Sequence, residues 1–63
     1  MRRAKLYIEL GKWELATEDL KVAAEVNPYN GEVYQLRARC HEMLGEKEKA
    51  RADSWKARVF VHR

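Results

Sequence analysis

Leu10-Gly11-Lys12-Trp13-Glu14-Leu15-Ala16, continuing through Leu20 and Ala23 to Asn27-Pro28, is a glycine turn feeding a run that stops at a proline. Gly11 can take the left-handed conformation that lets the last carbonyls of a preceding helix be satisfied. From Trp13 to Val26 the spacing predicts a helix. Trp13, Ala16, Leu20 and Ala23 step by three, four and three along one face, and Leu15, Val22 and Val26 make a second apolar stripe. Glu14, Glu18, Lys21 and Glu25 fall outward. Two apolar stripes predict neighbours on two sides, with Leu15, Val22 and Val26 as the seam to the following helix. The alanines of the first stripe allow a close approach of backbones. Pro28 lacks an amide proton and disfavours helical geometry in the residue before it, so the helix must stop by Asn27.

Outward from this stretch, Arg2 to Leu10 reads as a short helix, with Leu6 and Leu10 four apart and no glycine or proline between. Asn27-Pro28-Tyr29-Asn30 is a loop, and Asn30 is placed to cap the next helix by accepting a bond from an exposed amide. That third helix, Glu32 to Leu44, carries Val33, Leu36, Cys40 and Leu44 on one stripe and Tyr34, Ala38 and His41 on another. Gly45 closes it, and a fourth helix follows from Lys47 to Val61 with Ala50, Ala57 and Phe60/Val61 on its inner line.

The chain repeats itself after 34 residues. Arg3/Arg37, Ala4/Ala38, Leu10/Leu44, Gly11/Gly45, Glu14/Glu48, Ala16/Ala50, Asp19/Asp53 and Ala23/Ala57 are identical, eight of the 29 pairs available. Ordinary amino-acid usage would give about two. The matches fall on the turn glycine and the small inner residues, which a helix-turn-helix hairpin cannot change freely.

Composition bounds the function. Sixty-three residues allow one domain near the lower size for a stable core, with 37% charged and 46% hydrophobic residues. Thirteen Lys and Arg against ten Asp and Glu leave +3, with both signs interspersed. Such a balance biases encounters without defining a nucleic-acid surface. Cys40 is the single cysteine and cannot form an internal disulfide, and no apolar run reaches about twenty residues. The expectation is cytoplasm or another reducing, soluble compartment, with no membrane segment. Met1-Arg2-Arg3-Ala4-Lys5 runs directly into patterned helix without a serine-rich or cleavable segment, so a targeting leader is not expected.

A 34-residue helix-turn-helix period resembles the tetratricopeptide repeat (TPR) family. The likeness spans the whole chain as a single 1–63 domain, with 1–30 a first repeat lacking its opening residues and 31–63 a second. Ala4, Tyr7, Gly11, Ala16, Leu20, Ala23 and Pro28 fall on signature positions of the first unit, and Tyr34, Ala38, Gly45, Ala50 and Ala57 on those of the second. Arg3 and Arg37 stand at a usual leucine position, Ser54 replaces a large inner residue, and His62 stands where a second proline would be. The resemblance implies an all-α fold: four antiparallel helices as two stacked hairpins, a short α-solenoid. It also implies a concave groove for a peptide, lined here by Lys5, Ile8, Glu9, Glu32, Gln35, Arg39, Glu42 and Met43. The plain alternative is that these residues are the solvated face of two helices. The lysine and asparagine clamp that some members use for a C-terminal carboxylate is missing, since Met1, Lys5 and Leu36 stand at its positions.

The two units differ most on their last helices. Leu15, Val22 and Val26 correspond to Lys49, Lys56 and Phe60, and two lysines at a seam read as the polar end of an array. Glu18, Lys21 and Glu25 correspond to Ala52, Trp55 and Val59, so a charged face has turned apolar. Ala52, Trp55, Val59 and Phe60 are therefore the expected contact surface, because rigid aromatic area is what interfaces use. Otherwise Trp55 folds back over the hairpin as core.

No catalytic, cofactor or metal pattern is present. His41-Glu42 lacks the second histidine of a zinc-protease motif, and Cys40, His41 and His62 have no ligand spacing. His41 reads as an inner or boundary residue, Cys40 as a small core residue, and the chain not as an enzyme. The expected partner is a protein or peptide, a second copy included, because repeat arrays need about three units to bury a continuous core. A basic RNA- or ribonucleoprotein-associated adaptor is the other class, resting on Arg2, Arg3, Lys5, Arg37 and Arg39 and on Arg51, Lys56, Arg58 and Arg63. A self-assembling or engineered minimal repeat fragment is a third.

Overall fold

The computed structural model describes residues 2–61 of the chain, and the readings of Met1, His62, Arg63 and the Val61 side chain lie outside the described residues. The fold is all-α: α1 (Arg2–Glu9), α2 (Trp13–Val26), α3 (Gly31–Met43) and α4 (Lys47–Val61). Each helix packs on the next in the chain, giving two hairpins joined through α2 and α3.

The two hairpin turns are built alike. Gly11 and Gly45 have φ of 73° and 78°. Each sends its amide to the carbonyl three residues back: Gly11 N–H to Ile8 at 3.0 Å and Gly45 N–H to Glu42 at 3.1 Å. The residue after each glycine donates five residues back, Lys12 to Tyr7 and Glu46 to His41, both at 2.8 Å. A side chain in this conformation would strain the backbone, which is why glycine recurs at the same place in both turns. At the other junction the Asn30 side chain accepts the Glu32 amide at 3.0 Å, capping α3 as its position predicts.

Ala4, Ala16, Leu20 and Ala24 of the first hairpin and Val33, Tyr34, Cys40 and Ala57 of the second form one core. Tyr7, Ile8, Trp13, Ala23, Leu36 and Phe60 close its edges. The expected seam of Leu15, Val22 and Val26 is not used: all three are exposed, Val26 at 80%. The two neighbours of α2 instead share adjoining edges of one wide face. Ala16, Leu20 and Ala24 lie four apart on a ridge whose small side chains let the helices approach, and this turns the other stripe to solvent.

That correction changes why the second hairpin makes a poor base for a third. Ile8, Trp13, Leu20 and Ala24 belong to the joint core, and 34 residues later they are Glu42, Lys47, Ser54 and Arg58, all exposed. Charged and hydroxyl groups there would lose water on stacking without gaining partners.

The core assignment is testable by truncation. Leu20→Ala should cost about 3 kcal/mol because Leu20 is fully enclosed, whereas Val26→Ala should change stability by less than about 0.5 kcal/mol. Urea unfolding of the two variants checks this, and comparable losses would restore the Leu15, Val22 and Val26 seam.

Candidate functional site

The Arg and Asp identities of the repeat are interhelical ties. Arg3 of α1 grips Asp19 of α2 bidentately, Nε to Oδ2 and Nη2 to Oδ1, each at 2.8 Å. In the second hairpin Arg37 Nε donates to Asp53 Oδ2 at 3.2 Å. An arginine recurs at this position in both hairpins because its guanidinium reaches the carboxylate sixteen residues on.

The ties sit in different surroundings. The Asp19 side chain keeps 17% of its surface and that of Asp53 only 3%. His41, at the position of Tyr7, lies between two carboxylates, Nδ1 2.9 Å from Glu46 and Nε2 3.3 Å from Asp53. It is buried, as its stripe predicts. Lys49 donates to Glu46 at 3.2 Å and extends this network to the turn. No buried side-chain nitrogen or oxygen lacks a hydrogen-bond partner among the described residues. Nor does any group of three or more His, Cys, Asp or Glu side chains gather to hold a metal ion there. Burial pushes the Cys40 thiol up.

The residues expected to line a groove fall on the exposed surface of α1 and α3, except Ile8, which packs against the core. Lys5 Nζ comes within 3.7 Å of Glu32 Oε1, linking the two helices. The depressions they line are separate: Lys5 and Glu9 edge one with Arg2 and Leu6, and Glu42 edges another of ≈ 390 Å³ with Lys47, Ala50, Arg51 and Ser54. Gln35, Arg39 and Met43 are exposed on α3.

The expected contact surface divides. Trp55 is 65% exposed, with Ala52 exposed and Val59 half-buried beside it, so the indole does not fold back as core. Ser54 is exposed as well and leaves no inner gap for it. Phe60 turns inward. Its ring lies 5.4 Å from that of Tyr34 and 5.6 Å, edge to face, from that of Tyr29. Tyr34 is fixed in turn by its hydroxyl, which donates to the Pro28 carbonyl at 2.8 Å, and by Arg37 and Lys56 at 5.7 and 5.6 Å from its ring.

One cleft has no counterpart in the sequence reading. A space of ≈ 440 Å³ opens among Arg3, Asp19, Val22, Val26, Asn30 and Val33, with Ala4, Ala23 and Asn27 completing its wall. It lies beside α1 (Arg2–Glu9), along α2 and the start of α3. The recurrence of Arg3 and Asp19 at sixteen-residue spacing is the sequence signal that marks its edge.

Charge is unevenly divided. α2 carries Glu14, Glu18, Asp19 and Glu25 against Lys21, while α4 carries Lys47, Lys49, Arg51, Lys56 and Arg58 against Glu48 and Asp53. Among the described residues no helix is long and apolar enough to cross a membrane. No protein-family model and no solved structure matches the chain significantly.

Two outcomes follow from the carboxylates. The hydrogen bonds from Arg3 hold Asp19 below its ordinary range, and those from His41 and then Lys49 do the same for Glu46. A carboxylate whose folded-state pKa is depressed stabilises the fold above its unfolded value and loses that contribution as pH falls through the folded one. Thermal melting should therefore weaken progressively below about pH 4, and Glu46→Gln should flatten part of that slope. A melting temperature independent of pH between 5 and 2 would contradict it. Asp53→Ala should cost about 3 kcal/mol in urea unfolding because it strands half-buried Arg37 and buried His41. Asp19→Ala, more exposed, should cost clearly less.

Proposed function

We propose that the chain is a protein-interaction module that binds a protein or peptide and self-associates through its last helix. The likeness of its 34-residue hairpins to tetratricopeptide repeats supports this class, since such hairpins serve as scaffolds for other protein surfaces. The observation that carries the reading is Trp55, a large ring left 65% exposed beside Ala52 and Val59. Burying an aromatic ring contributes about 2 to 3 kcal/mol, a large share of the stability of a domain this small. Rings of this kind dominate the energetics of interfaces.

Peptide capture by the exposed faces of α1 and α3 is a second use of the same module. It gains less support, because the groove positions line separate depressions and Lys5 is engaged with Glu32. Binding of nucleic acid is weaker again. Arg3, Lys5 and Arg37 are held by Asp19, Glu32 and Asp53, which removes much of the basic layer that phosphates would need. A reducing compartment fits a lone, buried Cys40.

Sedimentation across a concentration series, for the chain and for Trp55→Glu, tests the proposal. The expected result is association of the parent chain at micromolar concentration that Trp55→Glu abolishes. A parent chain that stays monomeric at high micromolar concentration overturns self-association through α4.

A further inference from the structure

Five matched positions on the outer faces of α2 and α4 exchange their character. Leu15 and Val22 of α2 stand where α4 has Lys49 and Lys56, and Glu18, Lys21 and Glu25 stand where α4 has Ala52, Trp55 and Val59. Nine of these ten residues are exposed and Val59 is half-buried. One hairpin follows α2 and another precedes α4, yet the same face stays open in both. The exposure therefore belongs to the hairpin itself. Each face carries a strip of apolar surface beside a row of charge, both at the seven-residue spacing of two helical turns. On α2, Leu15 and Val22 adjoin Glu18 and Glu25; on α4, Ala52, Trp55 and Val59 adjoin Lys49 and Lys56.

The strips and rows occur in opposite order. Passing around the helices in one sense, α2 presents apolar and then acidic groups, whereas α4 presents basic and then apolar ones. Surfaces that meet face to face meet in mirror order. With the two helices running the same way, Leu15 and Val22 of one copy come over Ala52, Trp55 and Val59 of another, and Glu18 and Glu25 come over Lys49 and Lys56. Contact of like faces would instead gather lysines with lysines or glutamates with glutamates. Lys21, the one cation of the α2 face, lies beyond the glutamates, on the side away from Leu15 and Val22. Glu18 and Glu25 make no ion pair among the described residues, and Lys56 lies over the Tyr34 ring rather than on a carboxylate. Lys49 already touches Glu46 at 3.2 Å, so Lys56 is the freer cation.

At their first turns the two faces share a depression lined by Glu14, Thr17 and Glu18 of α2 and Lys49 of α4, so both open on the same side of the molecule. We infer that the Leu15 and Val22 face of α2 receives the Trp55 face of α4 from a second copy of this chain, and that two copies make this contact twice about a two-fold axis along the helices. This rests on the proposed self-association through α4 and supplies the surface that α4 meets. The assembly closes as a dimer, because each copy uses both of its faces on a single partner.

The experiment is sedimentation velocity of the full chain and three double variants: Leu15→Asp with Val22→Asp, Glu18→Lys with Glu25→Lys, and Lys49→Glu with Lys56→Glu. An equimolar mixture of the last two is run beside them. All six positions are exposed, and circular dichroism verifies that each variant keeps its helices. The parent should form a dimer and grow no further as concentration rises. Leu15→Asp with Val22→Asp should weaken it about tenfold or more, and each charge reversal alone should do the same. Mixing the two reversals should restore a one-to-one complex, because acidic and basic faces then meet in both contacts. If Trp55→Glu dissociates the parent while the α2 variants leave it associated, α4 is still the contact but α2 is not its acceptor, and this inference falls alone. The Leu15 and Val22 changes touch no residue of α4, so they decide the matter even where the lysine changes disturb the packing around Tyr34. Growth of the parent beyond a dimer overturns the two-fold pairing, and well-folded reversals that stay monomeric when mixed overturn the match of acidic to basic faces. A monomeric parent removes both readings together.

Discussion

Leu20, fully enclosed in a core drawn from both hairpins and flanked on α2 by Ala16 and Ala24, holds the two hairpins as one body. Leu20, Val33 and Cys40 are the largest completely enclosed side chains among the described residues. Most of the remaining core is alanine, whose methyl groups contribute little area but permit the close approach that seals the larger residues from water. A domain of this length has no second core to fall back on. The residues that would extend the seam at the far end, Ser54 and Arg58, are polar and exposed, which makes the second hairpin a poor base for stacking.

Within each hairpin the structure repeats one device and then varies it. The glycine turn and the Arg–Asp tie recur at the same positions, and they fix how the two helices of a hairpin meet. The first tie is solvated and bidentate. The second has a buried aspartate shared with His41, which brings Glu46 and the turn into the same network. A buried carboxylate needs such partners, because one left alone would shed its charge or unfold its surroundings. The same substitution, Tyr7 to His41 across the repeat, thus makes the second hairpin the more tightly interlocked of the two.

Much of this was legible in residue order. Gly11, Gly45, Pro28 and Asn30 act through their own backbone preferences, so the helix boundaries follow within a residue. The 3.6-residue period places Ala16, Leu20, Val33, Tyr34, Cys40 and His41 inside. The candidate site was only half legible. The exchange of Lys21 for Trp55 marked an apolar strip, but the direction of Phe60 depends on Tyr29 and Tyr34, which are distant in the chain. The cleft beside Arg3 depends on how α1 and α3 both lie against α2, and no local pattern encodes that arrangement.

The sequence by itself determined four helices, their glycine turns and their pairing into two like hairpins, because these rest on dihedral preference and on a period repeated after 34 residues. It also located the arginines and aspartates as matched positions. Only the tertiary structure decided which apolar stripe of α2 is buried. Leu15, Val22 and Val26 are as hydrophobic as the residues that won, and the choice turned on size. Alanines on the Ala16, Leu20 and Ala24 ridge let α3 come close, and a helix can give its nearest neighbour only one face.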